Sequence, residues 1–399
     1  MVRRRDTRPV NLPAVGHSDL SMDVSRRRYL GLAGTLGAAA LAGCPGEGEP
    51  ADDWRQFRAN PRRTGHNPVG GGPESGGTVG WSRRIAQQAL SGPVVADEVV
   101  YFNGAAVSAV GAGDGSRSWR AQLPFPSGIT PVVGSDAVYA VSRHSAFAID
   151  RAGGENRWTY TFGRRVANAP GFDSERVYVG FRTASDPYEA MLVALDPETG
   201  EREWRAPIGR DNVLLFTPAV EDDLVAVGKE AVFAVDAADG TERWTFDVPD
   251  ARFGTPVLAG DAVYVGATTP DREGLVFGLD AADGTERWRV ETGLGARSVA
   301  FDGDHVYATS DRVYALDPVD GSVAWRFDSD SFVHSPPSVA GDTVYLGGLL
   351  GDVVALSAAE GTERWRLETD GTFLSPPSIV GESAYVAGRN GVAYRVDAG

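Results

Sequence analysis

Most of the chain alternates between short apolar runs and polar turns. From about residue 94 onward, runs of Val, Ala, Leu and aromatic residues are separated by stretches rich in Gly, Asp and Pro. Short runs rich in β-branched and aromatic residues predict β-strands, and the residues between them predict tight turns. No apolar repeat of 3.6 residues persists after Cys44, so we expect an all-β fold.

The strand pattern repeats with a period of about 40 residues. Residues 232–244 read VFAVDAADGTERW, and residues 276–288 read VFGLDAADGTERW. Each unit holds about four apolar runs and ends on a tryptophan, which is the signature of a four-stranded propeller blade. The pattern therefore predicts an eight-bladed β-propeller, with seven blades as the alternative. Eight tryptophans mark the units: Trp81, Trp119, Trp158, Trp204, Trp244, Trp288, Trp325 and Trp365.

The stretch DAADG has two interpretations, a catalytic or metal-binding motif and a turn that each unit needs. The aspartate can accept hydrogen bonds from the turn backbone, and the glycine can adopt a left-handed conformation. Gly111 and Ser357 replace the aspartate in two units, which a turn tolerates better than a ligand site does. We interpret the stretch as a structural turn, followed by a tryptophan that docks between blades.

The two ends of the repeat region are complementary. Trp81 has no preceding strands of its own unit, whereas the last unit, residues 375–399, stops before its glycine and tryptophan. We expect residues 80–84 to pair with strands from 375–397 and to close the ring, which removes free sheet edges. The propeller then covers residues 81–399, and residues 54–80 are a lead-in segment.

The N-terminus predicts export. Residues 25–30 read SRRRYL, in which Arg26 and Arg27 fit the twin-arginine pattern, and an uncharged apolar stretch follows. That stretch is too short for an ordinary membrane span but suits a signal peptide, and it ends in Leu-Ala-Gly-Cys. We therefore expect a signal peptide at 1–43, with 1–21 as a mis-assigned start, lipidation of Cys44, and an acidic tether at 44–53; a buried helix with an incidental cysteine is the alternative.

The net charge of the chain argues against one class of partner, nucleic acid. The 399 residues include 54 acidic and 38 basic residues, for a formal net charge of −16, and Lys229 is the sole lysine. This balance is typical of proteins from saline environments, and it argues against nucleic acid as a partner because phosphates would be repelled. Cys44 is the only cysteine, so no internal disulfide is expected.

Repeats of the form VYALDxxxGxxxW resemble the quinoprotein-type β-propeller repeat, also called the PQQ-like or tryptophan-docking repeat. The segment before the blades also resembles the one that precedes the blades in secreted members, through Trp54, Gln56, Phe57, Arg58, Asn60, Thr64 and Gly65. One branch of the family holds quinone-dependent dehydrogenases, with pyrroloquinoline quinone (PQQ) and calcium over the propeller axis. The other holds non-enzymatic propellers, including BamB-like lipoproteins. The lipoprotein pattern and the absence of a vicinal cysteine pair resemble the second branch.

The resemblance implies a non-catalytic scaffold or binding module without a cofactor, anchored on the outer face of the cytoplasmic membrane. A PQQ-dependent dehydrogenase and an extracellular polymer- or carbohydrate-binding module are the alternatives. We expect a monomer that binds envelope or secreted proteins and contacts the membrane through a lipid on Cys44. Because the longest units carry insertions at one rim, we predict partner contacts there, at Phe181, Tyr188 and Arg272. No catalytic or metal-binding residue is predicted, since no histidine pair has ligand spacing.

Overall fold

The computed structural model describes residues 53–87, 90–162, 166, 168–183, 189–210, 217–296, 298–328 and 335–399. These residues belong to one compact unit, residues 48–399. They form 34 strands and no helix, so this part of the chain also offers no helix that could cross a membrane. The strands are arranged in eight sheets, as the eight-blade prediction requires, and the seven-blade alternative is therefore wrong.

The first two strands belong to sheets completed much later in the chain, and blades 1 to 4 follow in order. The strands are β1 (His66–Asn67) and β2 (Gly77–Arg84); in blade 1, β3 (Val94–Ala96), β4 (Val99–Asn103), β5 (Ala106–Gly111) and β6 (Arg117–Gln122); in blade 2, β7 (Val132–Val133), β8 (Ala137–Ser142), β9 (Ser145–Asp150) and β10 (Asn156–Thr161); in blade 3, β11 (Gly171–Phe172), β12 (Val177–Arg182), β13 (Glu189–Leu195) and β14 (Arg202–Arg210); in blade 4, β15 (Ala219–Glu221), β16 (Leu224–Gly228), β17 (Ala231–Asp236) and β18 (Glu242–Asp247).

Blades 5 to 8 follow the same plan, with one additional strand in each of blades 5 and 7. The strands are β19 (Arg252–Phe253), β20 (Val257–Ala259), β21 (Ala262–Thr268), β22 (Glu273–Asp280) and β23 (Glu286–Leu294) in blade 5; β24 (Ser298–Phe301), β25 (Val306–Thr309), β26 (Val313–Leu316) and β27 (Val323–Phe327) in blade 6; β28 (Ser338–Ala340), β29 (Thr343–Gly347), β30 (Asp352–Ser357) and β31 (Glu363–Glu368) in blade 7, which β1 joins; and β32 (Ser378–Val380), β33 (Ser383–Ala387) and β34 (Val392–Ala398) in blade 8.

Neighbouring strands within a blade are antiparallel, as in blade 4, apart from β1, which runs parallel to β28 in blade 7. The inner strands are buried along their length, as in β16, whose five residues are all buried, because each blade is covered on both faces by its neighbours. The outermost strands alternate instead: in β18 only Trp244 is buried. This difference explains why the inner runs are continuously apolar in the sequence, whereas the outer runs carry charged residues around one tryptophan.

The ring closes as predicted. β2 is the outer strand of blade 8 and pairs antiparallel with β34, with Trp81 opposite Arg395. In the other blades the residue opposite the tryptophan is alanine or glycine, as in the pair Trp204 and Ala194. The Nε of Arg395 donates to Asp397 at 2.6 Å, and its Nη1 donates to the Gly113 carbonyl of blade 1 at 3.1 Å. Arg395 therefore links the closing blade to the first blade.

The tryptophans dock between blades, as the turn interpretation requires. The indole of Trp204 donates to the Ala237 carbonyl at 2.8 Å, which lies in the next blade's turn before its outer strand. Its ring covers Gly240 of that turn, where φ is +75° and an added Cβ would lie 2.6 Å from the ring. The same contact recurs around the ring, with donor and acceptor residues Trp81 and Ala112, Trp119 and Arg151, Trp158 and Pro197, Trp244 and Ala281, Trp288 and Pro318, Trp325 and Ala358.

The turn aspartates act as expected from the sequence. One carboxylate oxygen of Asp150 accepts hydrogen bonds from the backbone N–H groups of Ala152 and Gly153, at 3.0 and 2.9 Å. Asp196 accepts equivalent bonds from Glu198 and Thr199. The DAADG stretch is therefore a repeated structural turn in the described blades.

Candidate functional site

The antiparallel order gives the propeller two different faces. The tight turns between the first and second and between the third and fourth strands of each blade lie on one face, which we call the turn face. The connections between the second and third strands and those from blade to blade lie on the other, which we call the loop face. The chain enters the propeller on the turn face, where Asp53 accepts a hydrogen bond from the backbone N–H of Asp97 at 3.1 Å.

Residues 54–72, which we call the plug, extend across the propeller axis on the turn face. Within them, β1 runs parallel to β28, the innermost strand of blade 7. The plug bonds to the innermost segment of every blade in turn, so it covers this end of the axis. The bonded pairs, from blade 1 to blade 8, are Trp54 and Val95, Arg55 and Val133, Gln56 and Phe172, Pro61 and Val220, Arg62 and Leu258, Thr64 and Phe301, Gly65 and Val339, and Gly72 and Gly381.

Two arginines of the plug are fully buried at the axis. The Nε of Arg63 donates to the Pro218 carbonyl at 2.8 Å, its Nη1 to Phe57 at 2.7 Å and its Nη2 to Pro170 at 2.9 Å. Arg58 donates only a long bond, from Nη1 to the Thr255 carbonyl at 3.4 Å. Burial lowers the pKa of Arg58 to about 9, and burial together with the Arg58 charge lowers that of Arg63 to about 9. Both guanidinium groups are therefore cationic at neutral pH.

Ion pairs between arginines and carboxylates lie on the turn face, both within blades and, between Arg151 and Asp97, across two blades. Arg243, which precedes a docking tryptophan, bridges Asp223 and Asp236 on the two turns of blade 4. The hydrogen bond from Arg243 is the main reason that the pKa of Asp236 is lowered. Blades 2 and 5 repeat the arrangement through Arg157 and Arg287. These ion pairs hold the two turns of a blade together, and sequence reasoning missed them although the arginine recurs before the tryptophan.

Two clefts flank the plug on the turn face. One, of about 610 Å³, is lined by plug residues including Asn60 and His66 and by turn carboxylates such as Asp302. Its histidine is partly buried, which lowers the pKa of His66. The other cleft, of about 650 Å³, lies beside Arg55 and Arg151. Both clefts are open, so they are surface grooves of the turn face.

The loop face carries the largest exposed apolar side chains of the described residues. Leu350 in the connection between β29 and β30 is 79% exposed, and Leu294 at the end of β23 is 60% exposed. Phe125 and Leu374, in blade-to-blade connections, are 46% and 42% exposed. The other exposed large apolar residues, on the plug, strands and turns, are all valines. A contiguous patch of such side chains would be typical of a protein-binding surface.

The predicted rim residues fall at three different kinds of position. Arg272 is exposed in the connection between β21 and β22, on the loop face. Phe181 is only 5% exposed and packs on Phe162, with ring centroids 4.9 Å apart. Its side chain is therefore part of the core and not of the surface of the loop face. Tyr188 lies outside the described residues, as do Arg26, Arg27 and Cys44. The exposed leucines were missed because a single apolar residue in a loop has no periodic pattern.

The residues at the axis differ from the ligands that calcium would need in a quinone site. Calcium is bound by carboxylate and carbonyl oxygens, often with several acidic side chains. Among the described residues, no group of three His, Cys, Asp or Glu side chains is placed to hold a metal ion. The fully buried charges on the turn-face side of the axis are instead the two cations Arg58 and Arg63. The turn-face end of the axis therefore lacks, among the described residues, the carboxylate set that calcium needs.

Comparison with known proteins places the fold in context. The family model described as outer membrane protein assembly factor BamB matches residues 103–207, 188–309, 272–348 and 309–399. No curated protein matches the sequence significantly.

Similar solved structures come from both branches of the propeller family. BamB from Moraxella catarrhalis is 19% identical with a TM-score of 0.62, over 80% of this chain and 97% of that one. Quinohemoprotein alcohol dehydrogenase from Comamonas testosteroni is 15% identical with a TM-score of 0.73, over 87% of this chain and 80% of that one. A europium-containing methanol dehydrogenase is 12% identical with a TM-score of 0.70, over 88% of this chain and 98% of that one. These similarities show the shared fold, and the family match over residues 103–399 shows that the chain belongs to the BamB-like family of PQQ-like repeat propellers.

Proposed function

We propose that this protein is an exported, lipid-anchored and non-catalytic propeller that binds other cell-envelope proteins through its loop face. The observation that carries the proposal is the set of exposed bulky side chains on that face, Leu294, Leu350, Leu374 and Phe125. They lie in, or at the start of, loop-face connections of the eight-bladed ring. The family's description as an assembly factor for outer-membrane proteins supports the same class of function.

The chain enters the propeller on the turn face, which supports a loop face that points away from the membrane. Asp53 lies on the turn face, nine positions after Cys44, the predicted lipidation site. Nine residues reach at most about 30 Å when fully extended. A lipid on Cys44 therefore keeps the turn face towards the membrane and leaves the loop face open to partners.

A direct test replaces apolar side chains on each face. The double variant Leu350→Asp and Leu374→Asp places charge on the loop face, and Val319→Asp, at a turn residue that is 82% exposed, is the matched control. After cross-linking in cells, partners that co-purify with the wild type should be lost from the double variant and kept by the control. If all three proteins retain the same partners, the loop face is not the binding surface.

The rival function is that of a quinone-dependent dehydrogenase, because two similar structures belong to that class. The plug covers the turn-face end of the axis, and among the described residues no group of three His, Cys, Asp or Glu side chains is placed to bind calcium. The purified protein is therefore expected to reduce no artificial electron acceptor after addition of pyrroloquinoline quinone and calcium with alcohols or sugars. Reduction of the acceptor that depends on the quinone would establish the enzyme instead.

A further inference from the structure

The two buried arginines of the plug have an unusual electrostatic environment. Arg58 and Arg63 are both 0% exposed, and neither forms an ion pair within the part of the chain that the structure describes. Their hydrogen-bond partners are neutral carbonyl oxygens. The charge of Arg58 also contributes, after burial, to the lowered pKa of Arg63. Buried charges in proteins are normally paired, so two adjacent unpaired cations need a compensating negative charge.

Arg58 carries most of the unused donor capacity. Its Nε and Nη2 atoms are buried without a hydrogen-bond partner, and its remaining bond to Thr255 is long. A guanidinium group cannot remove this deficit by losing its proton under ordinary conditions. The carbonyl oxygens around Arg63 already hold that side chain in place, so the unpaired N–H groups of Arg58 are the open positions for an acceptor.

The backbone of the plug is strained at these positions. Arg58, Ala59 and Arg63 have φ values of 62°, 72° and 63°, in the left-handed region that residues with a Cβ rarely adopt. Such conformations persist where the surroundings fix them, and they concentrate at functional positions. Here they turn both arginine side chains away from solvent and towards the carbonyl groups at the starts of the innermost strands of blades 3 to 5, Pro170, Pro218 and Thr255.

We propose that Arg58 and Arg63 form a buried binding site for one small monovalent inorganic anion of the chloride class. The anion accepts hydrogen bonds from Nε and Nη2 of Arg58 and offsets the repulsion between the two guanidinium groups. A small anion is favoured because both arginine side chains are fully buried. The site is structural: it fastens the plug to blades 3 to 5, and it makes stability depend on the identity of the anion in solution.

Thermal unfolding in different sodium salts tests this site on the full chain. At constant ionic strength, replacing gluconate by chloride or bromide should raise the Tm of the wild type by several degrees, because the anion binds the folded state alone. Arg58→Met keeps the length of the side chain and should lose most of this difference. Arg62→Met is the matched control, since Arg62 is a plug arginine that is 56% exposed and pairs with Glu221, and it should retain the difference.

Diffraction from bromide-soaked crystals of the wild type gives an answer that does not depend on any variant. An anomalous peak within hydrogen-bond distance of Arg58, and close to Arg63, is the expected result. Equal Tm values in gluconate and chloride, together with no anomalous peak at the arginine pair, would overturn the proposal. A sulfate or other polyatomic anion found between the two guanidinium groups would overturn the monovalent class, and loss of the salt effect in Arg62→Met would assign the effect to the surface instead.

Discussion

The docking of Trp325 offers a sharp test of what holds neighbouring blades together. Its side chain is 8% exposed, its ring covers Gly361 of blade 7, and its indole donates to the Ala358 carbonyl at 2.7 Å. The ring of Tyr307 packs on the Trp325 ring, with the two centroids 5.9 Å apart. The substitutions Trp325→Ala and Trp325→Phe separate the contribution of buried area from that of the hydrogen bond.

The expected magnitudes follow from these contacts. A buried tryptophan removes ~150–250 Å² from water, which corresponds to about 4–6 kcal/mol at ~25 cal/mol per Å². Measured tryptophan-to-alanine changes in protein cores cost roughly 3–5 kcal/mol, so we expect about 4 kcal/mol for Trp325→Ala. Trp325→Phe keeps much of the area but leaves the Ala358 carbonyl with a weaker set of donors, and it should cost about 1–2 kcal/mol.

Denaturant unfolding followed by far-ultraviolet circular dichroism measures both changes. Arg326→Ala is the control, because this neighbour on β27 is exposed, and it should change the free energy of unfolding by less than about 0.5 kcal/mol. If Trp325→Ala costs no more than Arg326→Ala, tryptophan docking does not hold the blades together. If Trp325→Phe costs as much as Trp325→Ala, the hydrogen bond and not the buried area dominates.

Three further predictions concern the turns, their charges and the closure of the ring. Gly361→Ala should lower the Tm clearly, because φ is +69° and the new Cβ would lie 2.4 Å from the Trp325 ring, whereas Gly113→Ala meets no atom within 4 Å and should be neutral. The aspartate partners of Arg243 have pKa values lowered below 3.8, so their contribution to stability is present above that pH and is lost as the pH falls through the lower folded values. A plot of Tm against pH should therefore fall less steeply below about pH 4 in Arg243→Gln, and an unchanged slope would contradict the assignment. A chain lacking residues 54–84 loses β2 and exposes the edge of β34, so light scattering should show oligomers, and a stable monomer would show that closure is dispensable.

The repeat was readable from the sequence because every blade meets the same physical demands. Each inner strand must be apolar on both faces, each hairpin needs a residue that tolerates a left-handed conformation, and each outer strand needs one bulky ring to cover the next turn. These local demands leave a periodic signal, such as the stretch from Val232 to Trp244. Closure was also readable, because Trp81 and the unfinished last unit are complementary pieces of one blade.

The sequence predicted the exposed residues less well, because the exposure of a side chain depends on neighbours that are distant in sequence. Phe181 was predicted to contact a partner, yet it is buried by Phe162 from the preceding blade. Leu350 has no distinguishing pattern in the chain, and only the fold shows that it is exposed on the loop face. The sequence identified Arg58 as part of a recognisable lead-in segment but did not indicate burial, because arginine is ordinarily a surface residue.

The sequence by itself therefore determined the all-β architecture, the number of blades, the turns and the way the ring is joined, since these arise from local propensity repeated at a fixed period. The tertiary structure decided which end of the axis the plug covers, that two cations are buried there, and which loops present apolar side chains. The first two features arise where the plug crosses the innermost strands of all eight blades, and no local pattern encodes contacts between residues 54–72 and segments up to about 300 positions away.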